Sequence, residues 1–376
     1  MEPELEAEPA KTPTKRHKCA ACFKQYKKKD HLIVHMKTSY HSVHQPKCEV
    51  CKRHCKSFES LREHLTGPLR KVHCSTIFSA NGCDLCMKIF DSPDAASEHK
   101  EACRLPPPVA IATLLSNSPG PQNNMSSSTN SRDSKAIAMD CEMVGGGTDG
   151  SIDICARVCL VDEEENLVFH AYVRPVIPVT NYRHEVTGLT EEHLQVAIPL
   201  EEVQAKIKEN LYNGEAVGRL RLNSNKARLL VGHDLEHDLK SLRFSYPDHL
   251  LRDTAKYHPL MKTNLVSHSL KYLTQTYLGY TIQAGIHDPY EDAVSAMRLY
   301  KRMRAQVHQL QGHAFNDTNN HTPSFISVFE LKKHRELEKM SPEELLELSR
   351  PNYRCWCLDS MTTIQEESAN NPWGSW

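Results

Sequence analysis

No apolar run in this 376-residue chain approaches the roughly 20 residues that a bilayer-spanning helix needs, and no apolar signal peptide is expected, so a membrane partner is not anticipated. Net charge is also nearly lacking, at -1. Gly145-Gly146-Gly147 lacks the Gly-Lys-Ser/Thr ending of a phosphate loop, which leaves a nucleoside triphosphate site without support. Cysteine, by contrast, is abundant: nine of the 14 lie before residue 104, many of them in Cys-x2-Cys pairs. Without a secretory leader, that pattern points to a reducing compartment and to thiolates that hold metal rather than form disulfides.

The near-neutral charge conceals an asymmetry. Residues 11–80 hold 16 Lys or Arg against 4 Asp or Glu, and eight of the 22 histidines. A basic, histidine-rich front suits a polyanion, and an acidic back suits metal-holding carboxylates. Residues 1–18 read as a disordered arm, acidic and then basic, whose basic part could serve as a nuclear-entry signal.

Three Cys/His modules follow, expected to take two to three structural Zn²⁺ ions. In residues 19–41, Cys19-x2-Cys22-x12-His35-x5-His41 has tetrahedral zinc spacing, with Tyr26 and Leu32 as its small core. In residues 83–103, Cys83-x2-Cys86-x12-His99-x3-Cys103 repeats the pattern with Phe90 and Ala96. The middle module, residues 48–74, has Cys48, Cys51 and His64 in register and Phe58 and Leu61 for packing. His73 is taken as its fourth ligand, with Cys74 as the alternative and Cys55 a spare thiol. Lys27, Lys28 and Lys29 open the helix of the first module, and three consecutive lysines suit phosphate contacts better than base reading. The irregular spacing does not suit three fingers tracking a duplex. Docking onto structured RNA or a duplex by shape and charge is therefore expected, with protein contact as the alternative.

Residues 104–134, with Pro106-Pro107-Pro108 and a Ser/Asn-rich run, read as a flexible linker. Residues 135–310 read as strands at 136–144, 152–161 and 167–173, a helix over 199–212, a strand from Arg228 to Gly232 and a helix from Leu235. A helix from Leu265 to Gln275 and a long one from Pro289 to about Gln309 complete the series. Three strands followed by alternating helices and a short strand imply an α/β layered domain.

The acids carry the chemistry. Asp140 and Glu142 alternate onto one side of the first strand, and burying two like charges so close together is costly unless a divalent cation offsets them. Asp234 and Asp238 lie one helical turn apart after the Gly232 strand; either could reach the first pair, and Asp234 equally suits a helix cap. In the last cluster Asp288 caps, Pro289 opens the helix, Asp292 lies one turn inside and His287 stands at the mouth. Four acids can hold two divalent cations for phosphodiester hydrolysis, and a histidine titrating near neutrality can take the proton from the attacking water.

Several motifs occur in order: Ala138-Met139-Asp140-Cys141-Glu142-Met143-Val144-Gly145, Ala156-Arg157-Val158, Tyr172-Val173-Arg174-Pro175 with Val179-Thr180, and Val186-Thr187-Gly188-Leu189. Leu230-Val231-Gly232-His233 leading to Asp238, Asp253-Thr254, and His287 leading to Glu291-Asp292-Ala293 continue the series. Over about residues 135 to 305 the chain resembles the exonuclease superfamily named for its Asp-Glu-Asp-Asp ligands, in the branch with a histidine base, and within it the RNA exonuclease 4 and interferon-stimulated 20 kDa exonuclease group. The resemblance implies a ribonuclease H-like α/β domain, a mixed central sheet flanked by helices, preceded here by small zinc-finger modules. It implies that Asp140, Glu142, Asp238 and Asp292 hold two Mg²⁺ or Mn²⁺ ions and that His287 is the general base, choosing Asp238 over Asp234. It further implies that Met143 and Val144 line the approach of the terminal nucleotide. His237 stands where asparagine is usual, and Asp234 where a small residue is commoner.

The implied activity is a metal-dependent 3′-to-5′ exoribonuclease releasing nucleoside 5′-monophosphates, in ribosomal or small RNA processing or turnover. The alternatives are a structure-selective DNA exonuclease and a finger-mediated binding protein with an inactive exonuclease scaffold. Arg174 and Arg183 are candidates for phosphate contact. In residues 311–376, Phe325 to Leu331 and the acidic Pro342 to Leu348 read as short helices, and Cys355-x-Cys357, Trp356, Trp373 and Trp376 as docking elements. Expected partners are single-stranded or structured RNA, with DNA as the alternative, and proteins through the fingers or the C-terminal extension. A monomer resident in the nucleus, including the nucleolus, is the expected setting.

Overall fold

The structure, a computed structural model, describes residues 16–116, 134–215, 226–306 and 334–360, and the single residues 308 and 332. By their internal contacts they group into two units, Met1–Lys56 with Val307–Cys355 and Ser57–Gln306 with Trp356–Trp376. Phe325 to Leu331, Trp373 and Trp376 lie outside the described residues, as do residues 1–15 of the arm. Among the described residues no helix is long and apolar enough to cross a membrane.

In the first unit β1 (His17–Lys18) pairs antiparallel with β2 (Gln25–Tyr26), and α1 (Lys29–Ser39) packs behind them. Leu32, Ile33 and Met36 of α1 are fully buried, more than a lone finger can cover by itself. The cover comes from the far end of the chain. Leu337, Leu345 and Leu346, from helices His334–Lys339 and Pro342–Leu348, join the same cluster. Ser341 and Glu344 form a capping box that starts the second of these helices, as the acidic pattern from Pro342 anticipates.

In the second unit six strands form one mixed sheet: β3 (Ala136–Gly146), β4 (Ile152–Val161), β5 (Leu167–Tyr172), β6 (Val179–Asn181), β7 (Leu229–Gly232) and β8 (Leu251–Asp253). The order is β5-β4-β3-β7-β8, with β6 also paired to β3. The β3–β4 and β4–β5 pairs are antiparallel; β3–β7 and β7–β8 are parallel, so the sheet is mixed as the resemblance implies. Ahead of the sheet come α2 (Phe58–Thr66), α3 (Val72–Asn81), α4 (Pro93–Cys103) and α5 (Ile111–Ser116). Between and after the strands come α6 (His184–Thr187), α7 (Glu191–Gln195), α8 (Leu200–Tyr212), α9 (Leu235–Ser241), α10 (Leu270–Leu273) and α11 (Pro289–Arg304). Ile137, Met139, Cys141 and Met143 pack with Val203, Ile207 and Leu211 of α8. Alternation leaves Ala136, Ala138, Asp140 and Glu142 for the other side of β3. Helix α11 packs across β3, β4 and β7.

Three boundaries differ from the expected ones. Residues 104–116 are not a free linker: Leu105 N–H donates to the Leu278 carbonyl (3.0 Å), Arg298 donates to the Pro106 carbonyl (2.6 Å), and Ile111 N–H donates to Asp288 Oδ2 (2.8 Å). A proline-rich strip makes no core of its own, yet a neighbouring folded surface can satisfy its backbone; residues 117–133 lie outside the described residues. The helix expected from Leu265 starts at Leu270, because Ser269 Oγ caps it and Leu265 sits at φ 62°. Helix α11 ends at Arg304, short of Gln309.

The tail docks on this second unit. Trp356 stacks on Tyr257 with ring centroids 3.8 Å apart, and Asp359 accepts two hydrogen bonds from Arg252 at 2.7 and 2.8 Å. Both members of that ion pair are almost wholly buried, so removing either would strand a charge.

Candidate active site

Strand β3 runs past the end of its parallel partner β7, since the register stops at Ala138 opposite Val231. Asp140 and Glu142 lie just beyond that point, where an α/β sheet opens into a crevice. Strand β7 ends at Gly232, where any Cβ would fall 2.3 Å from Leu235 and 3.0 Å from the Met139 carbonyl. The chain then turns through Asp234 at φ 63° into α9. The capping acid here is Asp253, not Asp234: its carboxylate accepts from Asp234 N–H at 2.9 Å and Leu235 N–H at 3.1 Å. Thr254 Oγ1 donates to the Gly232 carbonyl at 2.9 Å and lies 2.9 Å from His233 Nδ1. The Asp253-Thr254 pair thus sets the start of α9 and, one turn in, places Asp238 in the crevice. Both Asp234 and Asp238 line the cleft, Asp238 buried and Asp234 exposed.

Helix α11 delivers the fourth acid. Asp288 Oδ1 accepts from Tyr290 N–H at 3.0 Å as the expected cap, and Asp292 follows on the first turn. Its Oδ2 accepts a 2.6 Å hydrogen bond from Gln283 Nε2, a positioning partner that no sequence pattern flagged. His287 is fixed through its backbone, whose N–H donates to the Val186 carbonyl at 2.7 Å. The stretch Val186-Thr187-Gly188-Leu189 therefore has a structural use. Gly188 adopts φ 66°, and a Cβ there would lie 2.7 Å from Ile286, the residue before the histidine.

Asp140, Glu142, Asp238, Asp292 and His287 line one cleft of about 420 Å³. Burial is the main force raising all four carboxyls, and mutual repulsion adds to it; Glu142 is pushed up to about 8 and Asp292 to about 7. Arg157, opposite Glu142 across the β3–β4 ladder, partly opposes the rise. Asp238 Oδ2 and Asp292 Oδ1 are buried without a hydrogen-bond partner. Crowded carboxylates with orphaned oxygens are the donor set for hard divalent cations, so the residues fit Mg²⁺ or Mn²⁺. The His287 imidazole is shifted below its usual value by burial and then by Lys271, which favours the neutral, proton-accepting form.

Not every expected contact residue reaches the cleft. Met143 lines it, whereas Val144 is sealed in a separate apolar cluster with Ile154, Ala156 and Leu189. The β3–β4 ladder shifts register between Glu142 and Met143, so alternation counted from the two acids does not decide which of these residues reaches the cleft. Arg183 pairs with Asp153 at 2.6 Å and Arg174 donates to the Ala197 carbonyl at 3.2 Å, so both have partners within the fold. His237 lines the cleft and reaches Asp153 at 3.4 Å.

The Cys/His modules form their own clusters. The ligand atoms of Cys19, Cys22, His35 and His41 lie within 4.8 Å of one another, as do those of Cys83, Cys86, His99 and Cys103. His41 Nδ1 donates to Gln45 Oε1 at 3.1 Å while its buried Nε2 has no partner, the arrangement of a histidine held ready for a metal. In the middle module Cys48 and Cys51 belong to the first unit and His64 and Cys74 to the second. There Cys74 is buried on α3 with its sulfur within 4.8 Å of the His64 ligand atom, while His73 is exposed. Within the second unit it is thus Cys74, not the expected His73, that stands beside His64, because one step along a helix turns a side chain by about 100°. Lys27 and Lys28 are exposed, but the Lys29 ammonium donates to the Met340 carbonyl and is not free for phosphate.

The Exonuclease family model matches residues 137–300. RNA exonuclease 4 of Gibberella zeae is 40% identical over 172 residues, covering 46% of this chain and 50% of that protein. RNA exonuclease 4 of Saccharomyces cerevisiae is 36% identical over 184 residues, covering 48% of this chain and 59% of that protein. The chain thus spans between half and three fifths of the length of these two relatives. Among solved structures, the Pan2 catalytic unit of Neurospora crassa aligns at 21% identity and a TM-score of 0.39, covering 48% of this chain and 28% of that one. The residues that match the Exonuclease model, 137–300, are those that hold the mixed sheet and the acidic cleft at the ends of its strands.

Proposed function

We propose that this protein is a metal-dependent 3′-to-5′ exoribonuclease that releases nucleoside 5′-monophosphates. The observation that carries the reading is the convergence of four buried or part-buried carboxyls, two with orphaned oxygens, beside a proton-accepting histidine in one cleft. Asp140, Glu142, Asp238 and Asp292 would hold two Mg²⁺ or Mn²⁺ ions. When bound, these ions supply charge for the developing phosphorane oxygens and acidify the attacking water. His287 takes the proton from that water, its position set by the Val186 carbonyl. Gln283 holds Asp292 in one rotamer. The side of Met143 open to the cleft offers an apolar face to the terminal base.

RNA as substrate is supported by the two RNA exonuclease 4 relatives, which are similar over 172 and 184 residues. Zinc in the clusters ending at His41 and Cys103 is supported by their soft Cys/His donors. In this reading the protein works as a monomer in the nucleus, including the nucleolus, on single-stranded or structured RNA. Lys27 and Lys28 provide the phosphate contacts of the first finger.

The test compares matched 3′-labelled and 5′-labelled RNA and DNA, single-stranded and duplex, with Mg²⁺ or Mn²⁺ and Asp140→Asn as control. Immediate release of a labelled mononucleotide from the 3′ end of RNA, with a descending ladder from the 5′ label, is the expected result. Faster action on DNA would replace the substrate assignment, and undiminished activity in Asp140→Asn would sink the site.

A further inference from the structure

Four histidines and cysteines outside the three sequence modules remain unexplained by the exonuclease chemistry. His44 follows the first module, His308 follows α11 in sequence, and Cys355 and Cys357 form the Cys-x-Cys pair near the end of the chain. The first three lie in one unit, and their ligand atoms are within 4.8 Å of one another, the spacing found in the modules around His41 and Cys103. Cys355 Sγ lies 3.8 Å from His308 Nδ1, and the His44 and His308 rings meet edge to face with centroids 5.0 Å apart. A tetrahedral zinc, with bonds of about 2.3 Å to sulfur and about 2.0 Å to nitrogen, keeps those two kinds of ligand atom roughly 3.5 Å apart. Cys355 is buried, and the Tyr353 hydroxyl donates to the His44 carbonyl at 3.1 Å, which ties the two chain segments together beside the cluster.

We propose that His44, His308 and Cys355 bind a further Zn²⁺. A thiolate and two imidazoles make a borderline-soft set that prefers zinc to the Mg²⁺ or Mn²⁺ of the carboxylate cleft. The site is structural: its donors come from three segments far apart in the sequence. It clasps the C-terminal segment to the chain just after the first module, beside the leucines that cover α1. Donors 44, 308 and 355 fit no finger spacing, so a motif scan of the sequence passes over them. A hydrogen-bonded His/Cys pair and a Cys355–Cys357 disulfide are the competing explanations of the same proximity.

The full-length protein, purified with Zn²⁺ under reducing conditions, is assayed for zinc per chain by mass spectrometry of the metal. His308→Asn and Cys355→Ser are each expected to carry one equivalent less than wild type. Both should retain a Mg²⁺-induced rise in melting temperature, which reports an intact carboxylate cleft. A second measurement replaces zinc by Co²⁺: thiolate charge-transfer absorption per chain should be lower in His308→Asn than in wild type by the contribution of one site. Zinc content unchanged in both variants would overturn the proposal. So would a Cys355–Cys357 disulfide in the zinc-loaded wild type, because oxidised sulfur is no longer a thiolate ligand.

Discussion

Under the proposed function the carboxylate cleft and the Cys/His clusters both hold divalent metal, and they would solve its electrostatics differently. In the cleft, four acids stand with their carboxyls raised and two oxygens orphaned, so the apo site stores repulsion that a hard cation relieves. In the first module, each histidine has its Nδ1 beside a hydrogen-bonding oxygen, Ser39 Oγ at 2.9 Å for His35 and Gln45 Oε1 at 3.1 Å for His41. There the ligands are oriented before the metal arrives, and the metal completes a small core. The comparison teaches that one site is tensioned for exchangeable ions in chemistry, while the other is closed around a permanent one.

The most severe way to break the first half of the comparison is to remove a charge from the cleft. Asp292→Asn should lower the single-turnover rate on 3′-labelled RNA by about 10³-fold, the upper range for loss of one preorganised charge-stabilising group. Its fold should be kept, because the amide still accepts from Gln283 and no longer repels Glu142. A rate within a few fold of wild type would show that Asp292 holds no metal.

Next in size is the linkage of the cleft to pH. The Glu142 and Asp292 carboxyls are pushed up to about 8 and about 7 in the folded chain, whereas unfolded they ionise near about 4. A folded value above the unfolded one means that the fold retains protons the unfolded chain has lost. The cation-free stability therefore falls as pH climbs from about 4 to about 8. Mg²⁺ should reverse this at pH 8 and do little at pH 5, where protons already occupy the carboxyls. At 100-fold excess over its dissociation constant the gain is about 2.7 kcal/mol per site. Differential scanning calorimetry at both pH values measures it, and an equal shift at pH 5 and pH 8 would refute the stored-repulsion account.

A smaller effect tests how the base is held. Gly188→Ala places a side chain at φ 66° and within 2.7 Å of Ile286, at a cost of about 1–2 kcal/mol. Since Ile286 precedes His287, the rate should fall more than the metal affinity does. Loss of both in equal measure would show that the Gly188 contact supports the cleft as a whole and not the histidine.

Much of this was legible in the residues because it is local. Strand alternation brings Asp140 and Glu142 together, the Asp288-Pro289 start puts Asp292 on the first turn of α11, and Cys-x2-Cys-x12-His marks three of the four ligands of a finger. What sequence reasoning missed depends on distant partners. Asp253 caps α9 from the end of β8, Gln283 reaches Asp292 from a loop, and Leu337, Leu345 and Leu346 cover α1 from the other end of the chain. The expectation at Val144 failed where the β3–β4 ladder shifts register, between Glu142 and Met143, an irregularity that the residue pattern does not announce. His73 and Cys74 are likewise separated only by which side of α3 is buried, and sequence spacing treats them as equals.

The smallest prediction sharpens the contrast between a tensioned and a preoriented site. If the cleft relied on repulsion alone, Gln283 would be dispensable, since its 2.6 Å hydrogen bond lowers the Asp292 carboxyl that burial raises. Orientation matters there too, because only one Asp292 oxygen is left orphaned, and Gln283 decides which. Gln283→Leu keeps the volume and deletes the donor, so the Asp292 carboxyl should rise further and its rotamer should loosen. Partners that orient metal-binding residues are worth about 10–100-fold in metal affinity or activity. The expected result is a Mg²⁺ requirement raised about 10-fold, with the rate at saturating Mg²⁺ restored to near wild type. A lowered saturating rate with unchanged Mg²⁺ requirement would instead place Gln283 against the RNA, as a substrate contact rather than a positioning residue.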